Sequence, residues 1–299
     1  YVAVNPPANC DVEEVTNKQL ESIFRGNIKF WGKIDTAFGE GCAGAPITRV
    51  VRFDGSGTTY QFKNYLSTIS AGTIPCTEPA STWAQLRPIG TGGKPNTTWP
   101  ENGVAGCSAT LLSPVVTGGA NGNGPLVKKI NTTEGSIGYS ALSDIETNKT
   151  ADTHTVRLQN NGLVKLANAF FAEPKVESNN SANCGSAVYT VPAAGRVGTG
   201  TGEKVDWSQV FGANNAIGGE AYPLCTLTFD MAFKSYSKAG FTEGQAITTR
   251  DYLTEYITAA AGQTAIATGK KYYSALPTST NSARNVLGAA QLSASKIGF

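Results

Sequence analysis

The chain has 299 residues, 40% of them hydrophobic and only 15% charged, with a formal net charge of +2 and a single histidine. That length suits one large domain or two of ordinary size, and the apolar fraction is enough for a packed core. The small net charge, without a long Lys/Arg run, removes the electrostatic basis for binding nucleic acid; one histidine argues against a Cys/His zinc centre; and no apolar run reaches the roughly 18 residues that cross a bilayer as a helix.

Taken in chain order, "YVAVN" (1–5), where the sequence begins, reads as a strand, as if the start had been cut away. "TNKQLESIFRG" (16–26) reads as a short helix. Thr16 and Gln19 have the spacing of a capping box, Leu20, Ile23 and Phe24 make an apolar face, and Gly26 ends it. "ITRVVRF" (47–53) is a β-branched strand. A cluster of small polar residues follows, and then Tyr60, Phe62, Tyr65 and Leu66 recur at helical spacing. Residues 88–136, rich in Gly, Asn, Pro and Thr, read as long loops around short elements. "EGSIGYSAL" (134–142) reads as a turn entering a buried strand, "GLVKLANAFFA" (162–172) as a helix, and 178–204 again as loop. "YPLCTLTFDMAF" (222–233) has the pattern of a long strand; "TTRDYLTEYITAAAG" (248–262) and "ARNVLGAAQL" (283–292) have that of helices. Strands alternating with helices give the α/β class.

Six cysteines, Cys10, Cys42, Cys76, Cys107, Cys184 and Cys225, are dispersed without a CxxC pair. An even, scattered set in a Gly/Thr/Asn-rich chain points to disulfides and to an oxidising, extracytoplasmic compartment.

The stretch "VVRFDGSGTTYQFKNYL" (50–66) carries the chemistry. A strand, a turn of small residues and a helix start bring unpaired backbone N–H groups and the positive end of a helix dipole to one place. Gly55 and Gly57 are expected to let the backbone bend and a ligand approach. Ser56, Thr58 and Thr59 add hydroxyls, and Arg52 adds a planar, permanently charged fork for an oxyanion. Asp54 beside an anion is awkward unless it orients Arg52 or accepts a proton from the ligand. From the residues alone two readings stay open: an anion cradle, or an ordinary capped turn in which Arg52 pairs with Asp54 at the surface. Catalytic readings are weaker. Asp54 breaks the G-x-S-x-G spacing around Ser56, and His154 lies in the polar stretch "KTADTHTV". "GRVGTGTGEKV" (195–205) lacks P-loop spacing and "GGANGNG" (118–124) lacks G-x-G-x-x-G.

Several stretches together resemble the phosphate-binding subunit of bacterial ABC-type phosphate importers. "RFDGSGTTYQFKNYL" is similar to that family's phosphate loop, "TNKQLESIFRGNIKFWGKI" to its helix and G-x-I-x-x-W segment, "PIGTGGKPN" to its Gly-rich loop, and "EGSIGYSAL" to its G-[SA]-I-G-Y strand. "YPLCTLTF" and "YYSALP" resemble its crossing strand and C-terminal motif, and the matches run in order along most of the chain. The resemblance implies a periplasmic-binding-protein architecture of two α/β lobes with the ligand in the cleft between them. It implies that Arg52, Ser56, Gly57 and Thr58 contact phosphate, that Asp54 holds Arg52, and that Gly55 and Thr59 support the turn. It further implies phosphate and the importer's membrane subunits as partners, a location outside the cytoplasm, and neither cofactor nor catalysis. The family's N-terminal part of the first lobe has no counterpart ahead of "YVAVN", and the inserts near 95–125 and 178–205 are longer than expected. The expected division is therefore 1–8 as crossing strand and remnant of the first lobe, 9–222 as the second lobe, and 223–299 as crossing strand and C-terminal part of the first lobe. An incomplete first lobe would leave apolar surface for self-association and a weak, half-built phosphate site. Cysteine pairing is expected as Cys42–Cys76 around the strand–turn–helix unit, Cys10–Cys225 across the crossing strands, and Cys107–Cys184 between the inserts.

Two other functions compete with a phosphate receptor. One is a degenerate relative serving as an extracellular binding or adhesion module, favoured by the missing N-terminal segment and the long Thr/Asn-rich inserts; the N-x-[ST] sequons at Asn96, Asn131, Asn148 and Asn179 arise often by chance in such a composition and carry little weight. The other is a phosphatase-like hydrolase, disfavoured by the lack of a metal cluster, a suitable His or paired carboxylates.

Overall fold

The computed structural model describes residues 1–34, 40–69, 73–74, 81–83, 97–99, 121–160, 171–207, 220–269 and 272–299. They form two compact units, Tyr1–Pro174 and Lys175–Phe299.

In the first unit, β1 (Val2–Asn5), β3 (Thr48–Val50), β6 (Ser136–Tyr139) and β7 (His154–Thr155) make a sheet in the order β3-β6-β1-β7. β1 runs antiparallel to β6, Val2 opposite Tyr139 and Asn5 opposite Ser136, while β3 runs parallel to β6 with Val50 beside Gly138. Every residue of β1 and β6 is buried, as in strands covered on both faces. One cover is α3 (Asn123–Asn131), whose Leu126, Val127 and Ile130 share a core with Ala3, Val50 and Ile145. That helix lies so close that a Cβ at Gly138 would come within 2.7 Å of Ile130 Cδ1 and 2.9 Å of the Val50 carbonyl, so only glycine fits. Ile145 comes from α4 (Leu142–Asn148). A second sheet joins β2 (Glu14–Val15), β8 (Arg157–Gln159) and β9 (Phe171–Ala172), and β4 (Thr73–Ile74) pairs with β5 (Ser81–Thr82).

Helix α1 (Asn17–Arg25) starts and stops where its sequence says. The Thr16 hydroxyl accepts from the Gln19 N–H, the Gln19 side chain accepts from the Thr16 N–H, and Gly26 takes φ 88° to end it. Leu20, Ile23 and Phe24 are buried as expected. Helix α2 (Gly57–Ile69) buries Phe62, Tyr65 and Leu66 on its apolar face.

The second unit holds α5 (Glu243–Asp251), α6 (Ala260–Thr268) and α7 (Val286–Ala294), with Tyr236, Ala246 and Ile297 packed around Leu253. The helix expected over 248–262 is broken. α5 continues into a π-helical turn at Tyr252–Ile257, and α6 begins after it. The Thr258 hydroxyl bonds the Leu253 carbonyl at 2.8 Å and the Gln263 side chain bonds the Ile257 carbonyl at 2.6 Å, taking up carbonyls that a break leaves open.

Four further expectations are corrected. Residues 222–233 form no strand; the nearest bridge is the isolated pair Ser235–Gly298. A strand exists only where another supplies its ladder of hydrogen bonds, and no described strand lies alongside this stretch. Part of the span read as loop, 123–131, is helix α3. Of the helix expected at 162–172, only 171–172 lies within the described residues, and it is strand β9. The disulfides are Cys10–Cys42 and Cys184–Cys225, which overturns all three expected pairings. Backbone bonds explain both: Gly41 N–H donates to the Asn9 carbonyl at 3.1 Å, and Tyr222 N–H to the Asn183 carbonyl at 2.8 Å. Each bond brings a cysteine within one or three residues of its partner's loop. Cys76 and Cys107 lie outside the described residues.

Candidate anion-binding turn

Strand β3 ends at Val50, and residues 51–56 carry the chain into α2. All seven residues singled out in the sequence, Arg52 to Thr59 less Phe53, sit on this one turn, in different roles. The Arg52 side chain is 9% exposed, so it is no surface residue. Its Nε donates to Asp54 Oδ1 at 2.5 Å, its Nη2 donates to Asp54 Oδ2, and its Nη1 donates to Asn123 Oδ1 at 2.6 Å. The Arg52 hydrogen bond, aided by its charge, holds the Asp54 carboxyl below the usual carboxylate range. Asp54 thus orients the guanidinium.

Ser56 caps the helix. Its N–H donates to the Thr97 carbonyl at 2.9 Å, its Oγ accepts from the Thr59 N–H at 3.3 Å, and its carbonyl accepts from the Tyr60 N–H at 3.0 Å. Thr59 faces inward: its Oγ1 shares a 2.8 Å hydrogen bond with the buried Tyr139 hydroxyl, which also accepts from the Arg52 N–H at 3.4 Å. Burial raises the Tyr139 phenol well above its ordinary value, so it stays a neutral donor and acceptor. Among the described residues, the N–H groups of Gly57 and Thr58 and the Thr58 hydroxyl have no hydrogen-bond partner. Gly57 is exposed and Thr58 half-buried, so these donors stand at the positive end of α2, open to an anion.

The glycines do something other than expected. Neither Gly55 nor Gly57 is among the glycines with positive φ. A Cβ at Gly57 would meet nothing within 4 Å, while one at Gly55 would press on Thr97 Oγ1 at 3.1 Å. Gly55 admits the 97–99 segment, and Gly57 faces open space.

Sequence reasoning missed Asn123, Asp144, Tyr139 and Thr97 as parts of this turn. Asn123 had been read as loop, although Pro125 near the start of an apolar Leu126, Val127, Ile130 pattern is a helix-entry signal. His154 is not assembled with Ser56; it lies on β7 with its Nε2 at 2.9 Å from the Val12 carbonyl.

Behind the turn, Lys63 is fully buried on α2, its Nζ donating to the Thr98 carbonyl at 2.6 Å. Burial pulls its ammonium down from 10.5 to about 8. Between those values the unfolded chain binds more protons than the folded one, so Lys63 makes stability rise with pH across that window, by up to about 1.4 kcal/mol per pH unit. Urea unfolding at pH 7.5 and 9.5 is expected to show this rise in the wild type and a flatter dependence in Lys63→Met. Parallel dependences would mean that Lys63 does not titrate there.

The sequence model of the PBP superfamily domain matches residues 1–258. The chain is similar in structure to a human phosphate binding apolipoprotein (22% identity, 92% of this chain and 66% of that one, TM-score 0.56). It is similar to the ancestral soluble variant of the Human Phosphate Binding Protein (19% identity, 100% and 75%, TM-score 0.55). It is also similar to PfluDING, a high-affinity periplasmic phosphate-binding protein bound with phosphate (18% identity, 100% and 73%, TM-score 0.52). It spans 44% of the length of a phosphate-binding protein from Stenotrophomonas maltophilia. No curated protein matches the chain at a significant level. At these identities the likenesses establish the fold, a periplasmic-binding-protein-like α/β architecture. With a family model running from residue 1 to residue 258, the chain belongs to the PBP superfamily.

Proposed function

We propose that the chain is an extracytoplasmic solute receptor that holds inorganic phosphate at the 52–59 turn and serves an ABC-type importer. The observation that carries this reading is the set of unpartnered donors at the start of α2, Gly57 N–H, Thr58 N–H and the Thr58 hydroxyl, on the same turn as Arg52. Phosphate suits them, because it offers several acceptor oxygens and negative charge to a helix N-terminus. The names of the structural neighbours, several of them phosphate-binding proteins, support the ligand, and the two disulfides support an oxidising compartment. So read, the turn binds rather than reacts; the Ser56 Oγ accepts from the Thr59 N–H, and His154 lies against the Val12 carbonyl. In this reading Arg52, Ser56, Gly57 and Thr58 contact phosphate, and Asp54, Gly55 and Thr59 support them. The membrane subunits of the importer are the macromolecular partners.

Titration calorimetry with phosphate tests the reading, and a protein that gives no binding heat with phosphate at any practical concentration would overturn it. Arg52→Ala is expected to weaken binding by about 1.5–3 kcal/mol, roughly tenfold or more, because it removes a charge-assisted donor. Thr59→Ala is expected to cost less than 1 kcal/mol or so of affinity, because its hydroxyl is spent on Tyr139. Equal losses would refute these roles.

A further inference from the structure

We infer that Asn123 is a positioning residue for the oxyanion turn, with Asp144 fixing which way its amide points. The functional consequence rests on the phosphate reading above; the geometry does not. Asn123 opens α3, on a different element from the turn it touches. Its Oδ1 accepts from Arg52 Nη1 at 2.6 Å, and its Nδ2 donates to Asp144 Oδ2 at 3.2 Å. A guanidinium only donates and a carboxylate only accepts. The amide therefore has one orientation that satisfies both neighbours. Turned over, it would set an NH2 group against the guanidinium and an oxygen against the carboxylate.

Asp54 cannot do this work by itself. It lies two residues from Arg52, so an Arg52–Asp54 pair can swing as a unit with the turn. Asn123 grips the opposite edge of the guanidinium from a helix packed on the sheet, and the Gly122 N–H, 3.4 Å from Asp54 Oδ1, approaches the other half of the pair from the same helix entry. Asp144, in the first turn of α4, extends the chain of contacts to a second helix. The neutral amide matters as well. It supplies an acceptor without adding a second negative charge to Arg52, so the positive field offered to an oxyanion is compensated by one carboxylate rather than two.

The test uses wild type, Asn123→Ala, Asn123→Asp, and the exchanged pair Asn123→Asp with Asp144→Asn. Inorganic phosphate is titrated by calorimetry at fixed pH and salt, and melting temperatures are measured alongside. The Arg52 guanidinium is followed by ¹H–¹⁵N spectra without ligand, its signal assigned by loss in Arg52→Lys. Each single variant is expected to bind phosphate about tenfold more weakly at a melting temperature that still leaves it folded. The exchanged pair, which restores a donor between the two positions, is expected to fall between wild type and Asn123→Asp. The Arg52 signal is expected to move and exchange faster in Asn123→Ala. Phosphate affinities of both single variants within about twofold of wild type, or an unmoved Arg52 signal in Asn123→Ala, would overturn the proposal. Wild type that binds no phosphate would defeat the functional reading alone, and the Arg52 signal would still decide whether Asn123 positions it.

Discussion

Phe24→Ala is expected to lower the unfolding free energy by about 3–5 kcal/mol, the range for deleting a fully buried aromatic side chain. Phe24 is completely buried on the inner face of α1. Its ring meets the edges of three others: Phe62 at 4.6 Å, Trp99 at 5.8 Å and Tyr139 at 6.2 Å between centroids, at interplanar angles of 76°, 69° and 60°. Phe62 in turn stacks on Tyr139 at 4.4 Å. One ring thus joins α1, α2, β6 and the 97–99 segment, and edge-to-face pairs add about 0.5–1.5 kcal/mol beyond the area they bury. The neighbours belong to separate elements and cannot all move inward to fill the space, so a cavity term adds to the lost transfer energy. Guanidinium unfolding at unchanged slope is the measurement. A loss below about 1 kcal/mol would mean that the cluster repacks freely.

The next largest effect is expected from opening the Cys10–Cys42 bridge. Its sequence separation is 32 residues, for which the chain-entropy relation gives about 3–4 kcal/mol. Both cysteines are buried, so Cys10→Ser with Cys42→Ser also buries two hydroxyls, and Cys10→Ala with Cys42→Ala is the cleaner pair. The alanine pair is expected to unfold at clearly lower denaturant concentration than wild type. An unchanged midpoint would show that the loop between β1 and β3 is already restricted in the unfolded chain.

What the sequence determined by itself is the set of features whose hydrogen bonds close within a few residues. The Thr16–Gln19 box and the Gly26 stop span one short helix, and the Ser56 cap on Thr59 spans three residues. The strand–turn–helix unit at 48–69 is equally local, so the candidate site could be found from its residue order. The tertiary structure alone decided what lies alongside. Arg52 and Asn123 are 71 residues apart, and no spacing rule links them. The cysteines chose partners according to which loops backbone bonds brought together. The run at 222–233 has the side chains of a strand, but a strand's ladder is made with a neighbour rather than with itself, and no described strand lies beside it. Local bonds are encoded by neighbours in sequence; ladders, bridges and the grip on Arg52 are encoded only by neighbours in space.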